Sequence, residues 1–217
     1  MWAVCGKFTQ AYSWSEIHGH LTRFLDGLGS AAPADNPTTP MRFANVLRLR
    51  DGQPEYVHMR WGFAGRGDTD PSRPRHMHAR AETVDTLPTF ADAFEHRRCV
   101  LLVDTFNEGE EVGSRTVQWT ITPKDRMPLA IAAIYEEWAN GEERLLTFVM
   151  ITVPPNSLIG RITDRMPAIL QPADIEPWLK ATPQEAKALL RTYDDGGAWE
   201  MVRQGKPPKA PQDDLFS

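Results

Sequence analysis

Two apolar runs joined by Asp51-Gly52 make up the stretch ANVLRLRDGQPEYVHMRW, residues 44–61. Asp-Gly readily adopts the positive φ angles that the two-residue turn of a β-hairpin requires. The runs on either side have the length and the apolar content of strands. The stretch therefore predicts an antiparallel hairpin with strands at 44–49 and 55–61.

Outside this hairpin, predicted strands outnumber predicted helices. Ser13-x-x-Glu16 is a capping box that predicts a helix ending near Leu28, and Pro183 suits the first turn of another helix. The predicted fold class is α+β, with a mainly antiparallel sheet or partly closed barrel and flanking helices. The remaining predicted strands are 3–10, 98–103, 117–121, 129–135 and 145–153, the remaining helices are 89–96, 174–179 and 183–192, and the loops are 30–40 and 62–76.

The length and the composition limit the class of protein. With 217 residues, of which 41% are hydrophobic, the chain can bury a sizeable core, and we expect one domain over residues 1–205 and a flexible tail over 206–217. Two cysteines exclude a disulfide-rich secreted scaffold and a Cys₄ zinc site. No apolar run reaches the roughly 18 residues that span a bilayer. The start lacks a signal-peptide pattern, so we expect a cytoplasmic protein without membrane contact.

Basic residues are concentrated in one part of an otherwise acidic chain. The net charge is −5, yet residues 42–80 hold eight arginines and four acidic residues, which is a local charge of +4. Such a segment predicts one positively charged face, which suits the phosphate backbone of a nucleic acid. The alternative is that the arginines are spread over solvated strand faces and bind nothing.

A few residues could carry chemistry. Cys5 is either a nucleophile that needs a distant histidine as its base or a small buried hydrophobic residue. His76 and His78 would point to one face of a strand, as half of a metal site. No further cysteine, histidine or acidic residue stands at ligand spacing, so we expect no metal and no other cofactor.

Five short motifs occur in order over residues 5–180. They are Cys5-Gly6-Lys7-Phe8, Trp61-Gly62-Phe63, Ala79-Arg80-Ala81-Glu82-Thr83, Arg98-Cys99 through Asp104 to Glu108, and Asp164-Arg165-Met166-Pro167. Together they resemble the SOS-response-associated peptidase (SRAP) family, the abasic-site processing proteins. The resemblance implies binding of single-stranded DNA and covalent capture of abasic sites. In that chemistry a cysteine at a free amino terminus joins its amine and its thiol to the sugar aldehyde, which gives a thiazolidine.

The resemblance also implies roles for residues at matching positions. Cys5 matches the nucleophile, and Glu108 matches the carboxylate that moves protons during amine addition and water loss. Arg80 and Arg165 match arginines that hold DNA phosphates. Lys7, which we also expect to bind phosphate, stands where the family usually has an arginine.

The chain departs from the family pattern near the expected site. His78 stands where the family has an asparagine, and Thr163 stands where it has a histidine. Because an ordinary histidine pKa suits proton transfer near neutrality, His78 either takes over part of that role or is a hydrogen-bonding residue in a decayed site. Arg66 lies in a segment that replaces the family's aromatic stretch, and we expect it to contact DNA. The family's usual tryptophan directly after the glutamate is lacking, since Gly109 follows Glu108.

Four residues precede Cys5, which changes its chemistry. While Val4 remains attached, the backbone nitrogen of Cys5 is an amide, and an amide forms no imine. Either residues 1–4 are removed by self-processing, or the crosslinking chemistry has been lost or altered. Three functions stay open: covalent capture of abasic sites, a non-catalytic single-stranded-DNA-binding or clamp-recruited module, and a thiol self-peptidase.

The end of the tail resembles the peptide by which bacterial proteins bind the replication sliding clamp. Gln212, Leu215 and Phe216 provide the pattern Gln-x-x-Leu-Phe, and its two apolar side chains have no neighbouring core segment in the sequence. The clamp is therefore an expected partner, beside single-stranded DNA with abasic sites. A terminus without function is the alternative. The family resemblance implies a monomer.

Overall fold

Twelve strands and three α-helices make up the part of the chain that the computed structural model describes, residues 5–12 and 37–205. The strands are β1 (Lys7–Thr9), β2 (Phe43–Arg50), β3 (Gln53–Trp61), β4 (His78–Arg80), β5 (Arg98–Val103), β6 (Thr105–Val112), β7 (Arg115–Pro123), β8 (Leu129–Asn140), β9 (Glu143–Val153), β10 (Met166–Pro167), β11 (Ile169–Leu170) and β12 (Trp199–Arg203). The helices are α1 (Ala91–His96), α2 (Ile175–Lys180) and α3 (Pro183–Leu189), with short 3₁₀-helices at Ile159–Arg161 and Pro172–Asp174.

Five strands close into a barrel in the order β9-β3-β2-β5-β8, and β8 pairs with β9 to complete the ring. Four of these pairings are antiparallel. The fifth, between β3 and β9, is parallel and consists of two register pairs, Arg60 with Thr147 and Trp61 with Phe148. The predicted α+β fold with a mainly antiparallel, partly closed barrel is confirmed.

The hairpin predicted at 44–61 is confirmed as β2 and β3. Asp51 and Gly52 have φ angles of 52° and 78°, which are positive at both central positions of the turn, as a type I′ hairpin requires. The register runs from Arg50 opposite Gln53 to Phe43 opposite Arg60. The turn thereby fixes the register that brings Trp61 to the parallel contact with β9.

A second, four-stranded antiparallel sheet in the order β1-β6-β7-β12 packs against the barrel. Its buried side chains Phe8, Phe106 and Ile121 belong to the same hydrophobic core as the barrel strands. The ring of Phe8 lies 5.3 Å from the ring of Trp61. The sheet therefore holds the residues that follow Cys5 directly against the barrel.

The sequence did not predict two strands of this sheet, β6 and β12. Residues 107–111 of β6 read Asn-Glu-Gly-Glu-Glu, a composition that is unfavourable in strands. β6 forms because β1 pairs with it on one side and β7 on the other. β12 pairs with β7 from Trp199 opposite Pro123 to Arg203 opposite Trp119. Long-range pairing therefore outweighs local preference here.

The helices flank the barrel near their predicted positions; α1 and α3 are shorter than predicted, and α2 has the predicted length but is shifted by one residue. The predicted segments 89–96, 174–179 and 183–192 correspond to α1, α2 and α3. Arg98 joins the ends of α1 and α2, since its guanidinium donates to the carbonyl oxygens of Phe94, Trp178 and Ala181. The predicted helix at 13–28 and the tail at 206–217 lie outside the described residues. Among the described helices, none has the length and apolar character needed to cross a bilayer.

Candidate functional site

Cys5 and Glu108 meet where β1 runs beside β6. Lys7 is opposite Asn107 in the register of these strands, so Cys5 reaches the part of β6 that carries Glu108. The backbone N–H of Cys5 donates a hydrogen bond of 2.8 Å to Oε2 of Glu108. Both residues are fully buried. The two residues that the sequence suggested as nucleophile and acid–base group are thus in direct contact.

Glu108 is in a setting that favours its protonated form. Burial raises the pKa of its carboxyl well above the ordinary value, the hydrogen bond from the Cys5 N–H lowers it, and the charge of Asp164 raises it. Its second oxygen, Oε1, has no hydrogen-bond partner among the described residues. Glu108 therefore holds its proton more tightly than an exposed glutamate does, and one of its two buried oxygens has no hydrogen-bond partner among the described residues.

The thiol of Cys5 is buried, and its backbone is strained. Burial and then the charge of Glu108 raise the thiol pKa well above its usual range, against hydrogen bonds from the Lys7 and Asn107 backbone. Sγ lies 3.9 Å from the carbonyl oxygen of Lys7. The φ angle of Cys5 is +31°, a left-handed value that costs a residue with a Cβ roughly 1–2 kcal/mol. At neutral pH the sulfur is therefore a thiol rather than a thiolate.

His78 holds the other side of Cys5. Its Nε2 lies 3.2 Å from the carbonyl oxygen of Cys5, and its ring meets the Trp61 ring edge-on with centroids 5.7 Å apart. Burial lowers the pKa of His78 to about 4, although the hydrogen bond to Cys5 acts to raise it. The expectation of an ordinary histidine pKa is therefore wrong. At neutral pH an uncharged His78 donates its ring N–H to Cys5.

Arg80 and Arg165 lie together beyond His78. The guanidinium of Arg165 forms two hydrogen bonds with Glu82, of 2.5 and 2.8 Å, and a third of 2.6 Å with the carbonyl oxygen of Thr152. These hydrogen bonds, and more weakly the charge of Arg80, lower the pKa of the Glu82 carboxyl. Arg80 is exposed and lies opposite Thr152 in the register of β4 and β9. Arg165 is thus fixed in orientation, whereas the exposed side chain of Arg80 forms no ion pair or hydrogen bond within residues 5–12 and 37–205.

Thr163 lies in the segment between the 3₁₀-helix at Ile159–Arg161 and β10. Its backbone N–H donates to the carbonyl oxygen of Ile159, and its side chain is half-buried. The next residue, Asp164, is close enough to raise the pKa of Glu108. The segment that carries Thr163 therefore passes beside the acid.

Lys7 faces away from Glu108. Its Nζ donates a hydrogen bond of 3.3 Å to Oε1 of Gln204. Lys7 and Asn107 are register partners and share one face of the sheet, while Glu108, the next residue along β6, faces the other side. Lys7 can reach a ligand at the sheet edge but is not grouped with Arg80.

Arg66 is grouped with acidic residues near α1. Its guanidinium lies 3.1 Å from Glu136 and 3.5 Å from Asp92, and its side chain is 62% exposed. Arg97 completes the cluster with contacts to the same two carboxylates. The charge of Arg66 is therefore largely compensated. The predicted tail residues Gln212, Leu215 and Phe216 lie outside the described residues.

Sequence reasoning missed Trp119, which stands directly opposite Glu108 in the register of β6 and β7. The indole Nε1 of Trp119 donates a 2.8 Å hydrogen bond to Glu110, and the side chain is half-buried. An aromatic ring thus lies on the same sheet face as the acid, although the residue directly after Glu108 in the sequence is a glycine. The sequence did place Trp119 in a predicted strand, 117–121. Because β6 was not predicted, Glu108 could not be identified as its neighbour.

The two histidines considered as half of a metal site have different surroundings. The His76 ring packs against Phe90 with centroids 5.1 Å apart, whereas His78 packs against Trp61. Over residues 5–12 and 37–205, no group of three or more histidine, cysteine, aspartate or glutamate side chains is arranged to hold a metal ion.

Comparison with known proteins gives a consistent result. A family model described as SOS response associated peptidase (SRAP) matches residues 4–204. The abasic site processing protein YoqW of Bacillus subtilis is 29% identical over 217 residues, covering 95% of this chain and 96% of YoqW. YobE of the same organism, also named an abasic site processing protein, is 30% identical over 88% of this chain and 90% of its own. A crystal structure from Bordetella bronchiseptica matches with a TM-score of 0.80 at 19% identity, covering 93% of this chain and all of that one.

Proposed function

This chain belongs to the SOS response associated peptidase (SRAP) family, and we propose that it processes abasic sites in single-stranded DNA by covalent capture through Cys5. The observation that carries the proposal is the 2.8 Å contact between the Cys5 backbone nitrogen and the Glu108 carboxyl. Relatives that match nearly the whole chain are named abasic site processing proteins, which supports the choice of substrate. Capture requires that residues 1–4 are first removed, so that the nitrogen is a primary amine.

The chemistry uses the amine and the thiol of Cys5 in turn. The amine nitrogen attacks the aldehyde carbon of the open abasic sugar and gives a carbinolamine. Protonated Glu108 donates its proton to the hydroxyl group, which leaves as water, and an imine remains. The imine nitrogen keeps its proton, Sγ adds to the imine carbon, and the thiol proton returns to the Glu108 carboxylate. One water is released, and a five-membered thiazolidine joins the protein to DNA.

The other residues bind and orient. Arg80 contacts phosphate as a free guanidinium, and Arg165 does so in an orientation set by Glu82 and Thr152. Neutral His78 fixes the Cys5 carbonyl and so the direction of its nitrogen and thiol. Thr163 offers a hydroxyl where the family has a histidine, without acid–base function. Lys7 and Arg66 contact the strand further from the reacting sugar.

Self-processing is a second candidate function, favoured by the strained φ of Cys5 and by the acid beside its nitrogen. The thiol attacks the carbonyl carbon of Val4, the Cys5 nitrogen leaves as an amine with a proton from Glu108, and the thiol proton replaces it on the Glu108 carboxylate. Water then hydrolyses the resulting thioester, which releases residues 1–4 and restores the thiol. The same two groups thus serve maturation and capture.

We also propose a tail function and a simple assembly state. Residues 1–205 form one DNA-processing domain, and Gln212, Leu215 and Phe216 bind the sliding clamp from the tail, which brings a cytoplasmic monomer to replicating DNA. A module that binds single-stranded DNA without reacting is the alternative, because the segment holding Arg66 and the environment of His78 differ from the family pattern. Deleting residues 212–217 should abolish co-elution with the clamp.

The deciding experiment incubates single-stranded DNA that contains one abasic site with two forms of the protein, the full chain and a form that begins at Cys5. A heat-stable crosslink is expected with the form that begins at Cys5. With the full chain, the crosslinked fraction should not exceed the fraction of protein whose intact mass shows that residues 1–4 have been lost. Cys5→Ala should abolish the crosslink. Cys99→Ala, which removes the second buried thiol, is the matched control. A crosslink that survives in Cys5→Ala, or none with either form, would overturn the proposal.

A further inference from the structure

β3 and β9 separate on one side of their short parallel contact. They pair only through Arg60 and Trp61 with Thr147 and Phe148. Because the two strands are parallel, residues 53–59 and 143–146 lie on the same side of that contact without pairing to each other. A groove of about 620 Å³ opens there, here named the barrel groove, and its lining includes Phe43, Arg50, His58, Trp138, Arg144 and Leu146.

The barrel groove has more basic than acidic side chains, since its lining contains Arg48, Arg50 and Arg144 but one carboxylate, Glu137. Arg48 at its base is already paired, with Glu55 at 2.7 Å and Glu137 at 3.0 Å. Arg50 and Arg144 are exposed, and within residues 5–12 and 37–205 neither forms an ion pair. Arg144 donates only to the backbone carbonyls of its own hairpin. Two guanidinium groups therefore stand free on opposite sides of the groove, one on β2 and one on β9.

An exposed aromatic ring lies in the same groove. Phe43 is 42% exposed, which is unusual for a large apolar side chain at the start of an otherwise buried strand. An aromatic ring beside free guanidinium groups suits single-stranded nucleic acid, since bases stack on the ring while phosphates pair with the cations. A purely apolar partner would leave both arginines desolvated and unpaired.

The barrel groove and the site around Cys5 are connected through β3. Phe43 is the register partner of Arg60, which precedes Trp61, and the Trp61 ring contacts His78. The loop 62–76 borders both regions, because the indole of Trp138 donates to the carbonyl oxygen of Asp68 within that loop. Both regions therefore lie along β3 and beside this loop.

We infer that the barrel groove binds the single strand on one flank of the abasic nucleotide. Arg50 and Arg144 each take a phosphate, and Phe43 stacks on a base. The inference rests on the proposed function for its DNA partner but not for its covalent chemistry. It can therefore be tested with DNA that has no abasic site.

The experiment compares equilibrium binding with crosslinking. Binding is measured with an unmodified strand of about 16 nucleotides over a range of salt concentrations. Crosslinking is measured, for forms that begin at Cys5, with an abasic strand too short to enter the groove. Arg50→Gln/Arg144→Gln is expected to weaken binding of the long strand roughly tenfold and to reduce the slope of log K against log salt by about 1.4, since each single-strand phosphate contributes about 0.7. Crosslinking of the short strand stays unchanged. Phe43→Ala is expected to weaken binding of the long strand by roughly 5-fold or more and to leave crosslinking of the short strand unchanged.

The matched control is Arg126→Gln/Arg191→Gln, which removes two exposed arginines that already pair with Glu200 and Asp174. It should change neither readout. Unchanged binding of the long strand by the groove variants, or no binding by the wild type, overturns the inference. An equal loss in both readouts also overturns it, because the groove would then act through the reaction site. If the wild type fails to crosslink while the groove variants still weaken binding, the covalent function fails and the inference stands.

Discussion

The Nε2 atom of His78 lies 3.2 Å from the carbonyl oxygen of Cys5, and burial lowers the pKa of the imidazole to about 4, so that the ring is uncharged at neutral pH. His78, which the sequence left as either a proton-transfer group or a hydrogen-bonding residue, is therefore a neutral hydrogen-bond donor to the backbone of Cys5. This relationship separates two roles that the sequence left open, proton transfer and orientation.

If His78 acts only by orienting Cys5, another hydrogen-bond donor at this position, such as the amide of asparagine, should be able to take its role. We expect His78→Asn, in the form that begins at Cys5, to crosslink abasic DNA within a few-fold of the wild-type rate. His78→Ala should be slower by up to roughly tenfold, the value of one lost hydrogen bond. Crosslinking rates between pH 5 and 8 provide the check. A step in the wild-type profile near pH 6.5 that disappears in His78→Asn would instead identify proton transfer by His78.

The depressed pKa of His78 also makes stability depend on pH. Its pKa is about 4 in the folded chain and about 6.5 when unfolded, so the unfolded state binds the extra proton first as the pH falls. We expect no effect above pH 6.5 and a loss of unfolding free energy of the order of 3 kcal/mol between pH 6.5 and 4. Urea unfolding at several pH values measures it. His78→Asn should remove this part of the dependence, and an identical profile for both proteins would contradict the assignment.

Glu108 should have the opposite effect on stability. Its pKa is raised in the folded chain, so the folded state holds its proton more tightly and stability decreases as the pH rises above the ordinary carboxyl value of about 4.3. Glu108→Gln keeps the shape without the charge. We expect this variant to unfold at an equal or higher urea concentration than the wild type at pH 8.

The same Glu108→Gln variant should lose activity. General acid–base groups contribute about 10²–10⁴ to a rate, and glutamine can neither give nor take a proton. Crosslinking by the form that begins at Cys5 is the measurement, with Glu110→Gln as the control two residues along β6. A wild-type rate in Glu108→Gln would exclude the proposed proton transfers.

Arg80 and Arg165 should respond differently because one is free and one is fixed. Arg80→Gln removes a charge, so it should reduce the salt slope of single-strand binding by about 0.7. Arg165→Lys keeps the charge but cannot hold both oxygens of Glu82 and the Thr152 carbonyl. It should leave the salt slope nearly unchanged and slow crosslinking. Equal salt slopes for Arg80→Gln and the wild type would show that Arg80 does not contact phosphate.

Trp119 should act as an aromatic surface beside the acid. Replacing a stacking side chain costs about 1–3 kcal/mol per base, so Trp119→Ala should weaken binding of an abasic strand by roughly 5- to 150-fold. Trp119→Phe should recover most of the loss. Val117→Ala, two residues earlier on the same strand, is the control. Equal binding by the alanine and wild-type proteins would show that the ring has only a packing role.

The sequence was sufficient where turn chemistry or a continuous apolar run determines structure. Asp51-Gly52 predicted the hairpin because few residues accept two successive positive φ angles, and residues 98–103 match β5 at both ends. The contact between Cys5 and Glu108 was expected from the family resemblance, since the two residues are 103 positions apart. No local pattern links them.

Other parts of the site depend on what surrounds a residue. β6 is rich in acidic residues and forms through its neighbours, so the pairing of Glu108 with Trp119 was not accessible from the sequence. The pKa of His78 follows from burial against Trp61, and the compensation of Arg66 follows from Glu136, which is 70 positions away. Each is a property of tertiary packing.

The left-handed φ of Cys5 favours cleavage of the bond between Val4 and Cys5 over its re-formation. That angle is defined by the carbonyl carbon of Val4, so once the bond between them is cut the constraint ceases to exist and the amine can relax. Rejoining the two pieces would have to rebuild an unfavourable backbone conformation around a nitrogen that Glu108 can hold as a free amine. Removal of residues 1–4 would accordingly be effectively irreversible.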